Sequence, residues 1–450
     1  MSTPFYPTQH PQRVALHNEI HARPPEAISA PVAISHMVML CDAQAREASR
    51  QHLAALLRDF HLPQPDDHAI HIRMEVGPIR VRWELHTEFV SWTFMRLLQD
   101  EGTGEPATVN PPATAISAVP ERWLQGLPGQ CLVSMHLWVL RPKVRGNSVL
   151  IRHLLNDDGL IASTVVDGLA EVYTDLVIHP DGFSRMVLLA NSTSDPDLRG
   201  ERATAEARMT PRRLGRLVQR LLEIETYRMA ALLGLPVARE AATVLAFAER
   251  ELAEMAAAIR VATREDEPAL LDRLTRLAGQ VESQHATTHS RFSASAAYFE
   301  LVDKRIADIG EVRLGGFQTI GDFMDRRLTP ARSTCEWAVH RQNALSQRVS
   351  RISNLLRTRV EIEQQQSSQA LLATMNARQD LQLKLQSTVE GLSVAAITYY
   401  IVGLVSYLAK GATKLGWPLS AESTAALAIP VVAITVWWSL RRLHHRMFSN

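Results

Sequence analysis

The chain has 450 residues, with 48 Lys and Arg against 47 Asp and Glu and a formal charge of +1. That length suits two or three domains, and so even a charge balance gives no global attraction to nucleic acid. Cys41, Cys131 and Cys335 lie far apart with no CxxC pair, which argues against a disulfide framework or a cysteine zinc site and fits a reducing compartment.

The N-terminal stretch MSTPFYPTQHPQRVALHNEIHARPPEA has no apolar core of a secretory signal, so residues 1–390 are expected in the cytoplasm. Residues 1–195 read as a mixed α/β domain. A strand is expected over residues 31–40. A helix follows over 43–60, with Leu53, Leu56, Leu57 and Phe60 as its apolar stripe. Residues 69–76 and 79–94 read as two strands around Gly77-Pro78, and 131–140 as another. Residues 170–178 and 183–189 flank the hairpin signal His179-Pro180-Asp181-Gly182. Residues 102–112 form a polar, Pro-rich loop.

Residues 205–330 read as a helical bundle. Thr210 is placed as an N-cap before Pro211, and that helix runs to Gly234-Leu235-Pro236. A second helix covers 236–263. A third runs from Glu267-Pro268 to about residue 313, where Gly315-Gly316 breaks it, and residues 320–328 form a short helix before Thr329-Pro330. Residues 331–390 contain neither Pro nor Gly and predict a stalk helix of about 90 Å. Leu345, Val349, Ile352, Leu356 and Val360 have coiled-coil-like spacing. Gln364-Gln365-Gln366-Ser367-Ser368-Gln369 interrupts the stripe, and Leu371, Leu372, Met375, Leu381, Leu383, Leu385 and Val389 resume it. A helix this long needs neighbours, from its own chain or from other copies.

Residues 391–440 predict a transmembrane hairpin. Its first span is bounded by Leu392 and Ala409 and its second by Ala425 and Leu440; neither carries a charge, and the second contains Pro430. Arg378 and Lys384 precede the hairpin, and the basic tail 441–450 follows it with Arg441, Arg442 and Arg446. The loop between the spans holds Lys410, Lys414 and Glu422, so the positive-inside pattern puts both termini in the cytoplasm. Trp417, Trp437 and Trp438 are placed like interfacial anchors. Hydroxyls of Ser393, Thr398, Tyr399, Tyr400, Ser406 and Tyr407 in the first span serve helix packing or a pore lining.

Two charged patterns are candidate ligand sites. Along residues 80–89 a period of two puts Arg80, Arg82, Glu84, His86 and Glu88 on one face and Val81, Trp83, Leu85 and Phe89 on the other. That polar face is either a pocket wall able to hold a cation or protons, or a self-neutralised solvated surface. In Asn18-Glu19-Ile20-His21-Ala22-Arg23-Pro24-Pro25 the prolines exclude a helix interior, and an extended chain points Glu19, His21 and Arg23 one way. This segment is a ligand loop or a structural clasp. His68 and His71 are three apart, and no HExxH or HxH occurs. Phosphate-loop, dinucleotide and nucleophile-elbow motifs are absent. Arg212, Arg213, Arg216 and Arg220 line one helix, where they could touch lipid phosphates or acidic partners, though Glu223 and Glu225 point to ordinary helix pairs. No catalytic residue, metal site or cofactor is assigned.

Several stretches carry a resemblance. They are Asn18 to Pro24, Arg82-Trp83-Glu84-Leu85-His86-Thr87-Glu88-Phe89, Gln219-Arg220-Leu221-Leu222-Glu223-Ile224-Glu225-Thr226-Tyr227-Arg228-Met229 and Thr388-Val389-Glu390-Gly391-Leu392-Ser393. Through them the chain resembles an uncharacterised bacterial family of predicted membrane-anchored proteins, a domain of unknown function, over residues of about 10–440. The resemblance implies a membrane protein and brings no activity. In layout alone the chain is similar to CorA-type divalent-cation transporters, which are homopentamers with the first span lining the pore. Their Gly-Met-Asn tripeptide is missing, and Ser406-Tyr407-Leu408-Ala409-Lys410-Gly411 stands in its place.

The expectation is therefore an α+β integral protein of the bacterial cytoplasmic (inner) membrane. It has a mixed α/β domain, a helical region with a long stalk and a two-helix hairpin. It would be a homo-oligomer with possible ion transport, or a membrane-tethered scaffold or sensor that binds a protein or small ligand; an enzyme is the least supported reading. The expected partners are the lipid bilayer, further copies of the chain, and a divalent cation or unidentified ligand, with no nucleic acid.

Overall fold

A computed structural model describes residues 10–14, 16–17, 25–99, 111–143, 146–190, 209–413 and 418–447. The chain divides into two compact units: Met1–Val261 with Asp272–Arg351, and Ala262–Leu271 with Ile352–Asn450.

The first unit is built on one mixed sheet. Its strands are β1 Val32–Leu40, β2 His71–Val76, β3 Ile79–Leu85, β4 Phe89–Leu97, β5 Gln130–Leu140, β6 Ile161–Val165, β7 Ala170–Thr174, β8 Ser184–Ala190 and β9 Val312–Arg313. They lie in the order β2-β3-β4-β1-β5-β8-β7-β6-β9, antiparallel except for the parallel pair β5 and β8. Side chains alternate between the two faces. One face packs Trp83, Trp92 and Phe94 against Leu53, Leu56 and Leu57 of helix α1 (Ala43–Asp59). Asp42 caps that helix by accepting from the Ala45 N–H at 2.8 Å. The short helices α2 (Glu121–Gln125) and α3 (Asn147–Leu154) add Trp123, Ile151 and Leu154 to the same core.

The opposite face carries Val32, Ile34, Met135, Leu137 and Leu188, covered by helix α4 (Pro211–Leu232) through Leu214, Leu217, Val218 and Leu221. Thr210 caps α4 as the sequence predicts, accepting from the Arg213 N–H at 3.3 Å. Gly215 lies where α4 crosses the chain at Glu26; a Cβ there would fall on the Glu26 carbonyl oxygen. Helix α5 (Gly234–Val261), the part of α6 (Glu267–Ile309) from Asp272 on, and the start of α7 (Ile320–Thr413) continue the unit. They join through Ala238, Ala241, Phe292, Cys335 and Ala338. Between α6 and α7, Asp303 pairs with Arg332 at 2.7 Å and Thr288 meets Gln342 at 3.4 Å, so these helices run antiparallel.

Four sequence expectations change. The strand expected over 79–94 is two strands with a turn at His86-Thr87-Glu88, closed by the His86 N–H donating to the Phe89 carbonyl at 2.9 Å. The turn contains no Gly, Pro or Asn, so its residues carried no turn signal. The break expected at Thr329-Pro330 is absent: α7 runs through Pro330, whose neighbours Leu328 and Ala331 are both buried in the core. Packing there outweighs the one hydrogen bond proline removes. The third helix stops at Ile309, and the chain then adds β9 to the sheet edge. Arg213 and Arg220 face other elements, Asp167 and Asp308, while Glu223 pairs with Arg305. The 102–112 loop as far as residue 110, and Trp417, lie outside the described residues.

In the second unit Arg359 pairs with buried Glu267 at 2.7 Å and Arg264 with Glu363 at 3.4 Å. α7 proceeds to Thr413, and α8 covers Ala421–Met447 with Pro430 inside it. Among the described residues, three helical stretches are long and apolar enough to cross a membrane by length and composition: Pro211–Val261, Ile320–Thr413 and Ala421–Leu440. In the first, 33 % of the apolar window is buried; in the other two only 6 % is.

Candidate functional site

Strand register assembles a polar patch in the middle of an apolar face. His36 on β1 pairs with Thr93 on β4, and Thr93 pairs with Arg82 on β3. Two residues along, Val38, Ser91 and Glu84 form the next row on the same face. The row between them, Met37, Trp92 and Trp83, points to the opposite core. α4 closes over the patch with Leu222, Glu223, Thr226 and Tyr227, leaving a cavity of about 40 Å³.

His36 is 5 % exposed, and both its ring nitrogens are engaged. Thr226 donates its hydroxyl to the Leu222 carbonyl at 2.9 Å, so its 3.1 Å contact with His36 Nε2 is one in which the ring donates. His36 Nδ1 then accepts from the Thr93 hydroxyl at 2.9 Å. This network assigns the neutral Nε2–H tautomer. Burial pushes the His36 imidazole down to about 3, and the Arg82 and His86 charges act in the same direction.

Arg82 and Glu84, two residues apart on β3, pair at 2.7 Å through Nη2 and Oε1 and are 7 % and 8 % exposed. Arg82 Nε is buried without a hydrogen-bond partner among the described residues. His86 stands past the end of β3; its ring stacks on Phe89 with centroids 4.4 Å apart, and its Nε2 lies 3.5 Å from the Ser91 hydroxyl. Gln219 donates to Glu223 at 2.8 Å, and Arg305 pairs with the same carboxylate. Tyr227 stacks on Tyr298 at 5.8 Å.

Arg82, Glu84 and His86 thus line one cavity. Glu88 does not join them. The turn carries it to Arg291 at 2.9 Å and to the Tyr298 hydroxyl at 3.1 Å. Burial and that carboxylate push the Tyr298 phenol upward. Glu84, His86 and Glu88 therefore form no cation cage, and among the described residues no three His, Cys, Asp or Glu side chains group as metal ligands. Glu19, His21 and Arg23 lie outside the described residues. Beyond that segment, buried Glu26 pairs with Arg80 and, at 3.3 Å, with Arg73. His36, Ser91, Thr93, Glu223 and Thr226 were missed as site residues. The available signal was His36, the one ionisable residue inside the apolar run VAISHMVML.

The site is a polar hollow in a core, able to hold and orient a small hydrogen-bonding group. An α+β unit with such a hollow, followed by helices of membrane length, defines the class of protein. Residues 8–447 match the family described as protein of unknown function (DUF3422), and the chain belongs to that family. No curated protein and no solved structure matches the chain, so the CorA-like layout gains no support.

Proposed function

We propose that the chain is a membrane-tethered sensor: residues 392–409 and 425–440 cross the bacterial cytoplasmic membrane as a hairpin, and the N-terminal unit binds a small polar ligand in the Arg82–Glu84 cavity. The carrying observation is Arg82 Nε, a buried donor without a partner at the edge of a 40 Å³ cavity. An unmet buried donor costs about 1–3 kcal/mol, which a ligand acceptor recovers. The cavity has room for about two or three water-sized groups, so the ligand is a small acceptor such as a carboxylate, nitrate or a compact amide. The tether is supported by the two poorly buried apolar helices and by aromatic–cation pairs at their ends. Lys410 lies 5.7 Å from the Tyr407 ring and Arg442 5.1 Å from the Trp438 ring.

The test is thermal unfolding of the detergent-solubilised full chain against a panel of small acids and amides. At least one is expected to raise the melting temperature of the native chain and to leave the Arg82→Met/Glu84→Gln double variant unmoved. A panel that moves neither protein, or both equally, contradicts ligand binding at this cavity.

A second reading is favoured by the first span. Thr398 Oγ1 is buried without a partner among the described residues, while Tyr399, Tyr400 and Tyr407 are 77 %, 72 % and 76 % exposed. Hydroxyls of this kind suit a homo-oligomer whose first spans enclose an ion path. Cation flux into liposomes holding the intact assembly supports that reading, and an intact assembly without flux rejects it.

A further inference from the structure

We infer that residues 371–392 of α7 form a parallel, in-register interface with the same segment of other copies of this chain. The inference rests on the tethering reading above. Leu371, Leu372, Met375, Leu381 and Leu385 are 65 %, 59 %, 61 %, 61 % and 61 % exposed, and Val389 and Leu392 are 61 % and 67 % exposed. Single exposed leucines are ordinary, but a run of this density on one helix marks a surface built to be covered.

The spacing decides the kind of cover. Leu371, Leu385 and Leu392 fall on the d positions of a heptad frame, and Met375 and Val389 on the a positions. Leu372 and Leu381 broaden the stripe at the flanking e and g positions. Upstream, Leu345, Val349 and Leu356 are 1 %, 2 % and 1 % exposed, so the stripe before the Gln364 to Gln369 interruption is already covered within the chain. The heptad frame slips across that interruption, which turns the second stripe away from the face the first one uses.

Three features select a second copy as the occupant. The segment runs into the first span within one helix, so the bilayer holds every copy at one height and in one direction; an identical copy therefore presents the same frame in register. The charges Asp380, Lys384 and Glu390 fall at the outward f, c and b positions. The e and g positions beside the stripe hold Gln379, Gln386, Thr374 and Thr388, so the flanks of like copies bring no like charges together, and Arg378 at d is the one like charge that meets its copy in the core. The bilayer itself does not cover the stripe: Leu371 lies about 30 Å along the helix from Leu392, and Arg378, Asp380 and Lys384 stand between them. Arg378 at d and Gln382 at a form a polar layer, which weakens the bundle and fixes its register.

The experiment is site-directed cross-linking of the full chain in native membranes. Exposed Cys131 is first replaced (Cys131→Ser), while buried Cys41 and Cys335 remain. Met375→Cys and Val389→Cys are expected to give about tenfold more covalent dimer on mild oxidation than the outward-facing Asp380→Cys and Leu383→Cys, because only the inward pairs approach disulfide distance. Equal yields at all four positions, or none at any, overturn the interface. Gln382→Leu is expected to make the assembly more resistant to detergent; a less resistant assembly overturns the role given to the polar layer. Carbonate extraction of the same membranes decides the tether separately, so failure of either claim is visible by itself.

Discussion

His36 on β1 and Thr226 on α4, 190 residues apart, meet through Nε2 and Oγ1 at 3.1 Å inside the core, and this contact ties the sheet to the helix that roofs its polar patch. Thr226→Val keeps the volume but leaves the buried His36 N–H unmet. It is expected to cost about 1–3 kcal/mol. Urea unfolding of the full chain in detergent checks this, and an unchanged midpoint contradicts the assigned tautomer network.

The same histidine makes stability depend on pH. Burial holds His36 down to about 3 and His136 down to about 4, both below the unfolded value of 6.5. Unfolded chains therefore take up protons that the folded chain refuses as pH falls from 6.5 toward 4. Their contribution is complete above about pH 6.5 and declines below it, by up to about 1.4 kcal/mol per pH unit for each ring. Melting temperature measured from pH 7.5 to 5 is expected to fall, and less steeply in His36→Gln. Identical slopes reject the buried neutral imidazole.

Gly215 and Gly279 make opposite predictions for one substitution. A Cβ on Gly215 lands on the Glu26 carbonyl oxygen, while one on Gly279 of α6 meets nothing within 4 Å. Gly215→Ala is expected to destabilise by about 1–3 kcal/mol through overpacking, and Gly279→Ala to stabilise by up to about 1 kcal/mol through helix propensity. Thermal unfolding of both variants gives the signs directly.

Arg82 and Glu84 form a buried ion pair whose halves are costly apart. Arg82→Met alone leaves the carboxylate uncompensated and is expected to cost about 3–5 kcal/mol. The double variant Arg82→Met/Glu84→Gln removes both charges and is expected to cost clearly less. A double variant as unstable as the sum of the singles shows that the pair is not coupled.

Much of the fold was legible where periodicity and punctuation agreed. Thr210 marks a helix start, the His179 to Gly182 turn joins β7 to β8, and Leu392 to Ala409 reads as a membrane-length apolar run. What failed depended on distant contacts. The His86 to Glu88 turn has no turn residue, and it is set by Leu85 and Val90 pairing across β3 and β4. Pro330 lies inside a helix because its neighbours are buried in a core built by distant segments. Arg82, Glu84 and His86 were visible as a period-two pattern. Their partners His36, Thr93 and Thr226 were not, because strand register and the placement of α4 bring them together.

The central claim is a polar-cavity unit held at the bilayer by the last two helices. Alkaline carbonate extraction of membranes containing the full chain tests it most directly. The chain is predicted to stay in the membrane pellet, as proteins spanning the bilayer do; its release into the supernatant would contradict the tether and, with it, the account of a membrane-held sensor.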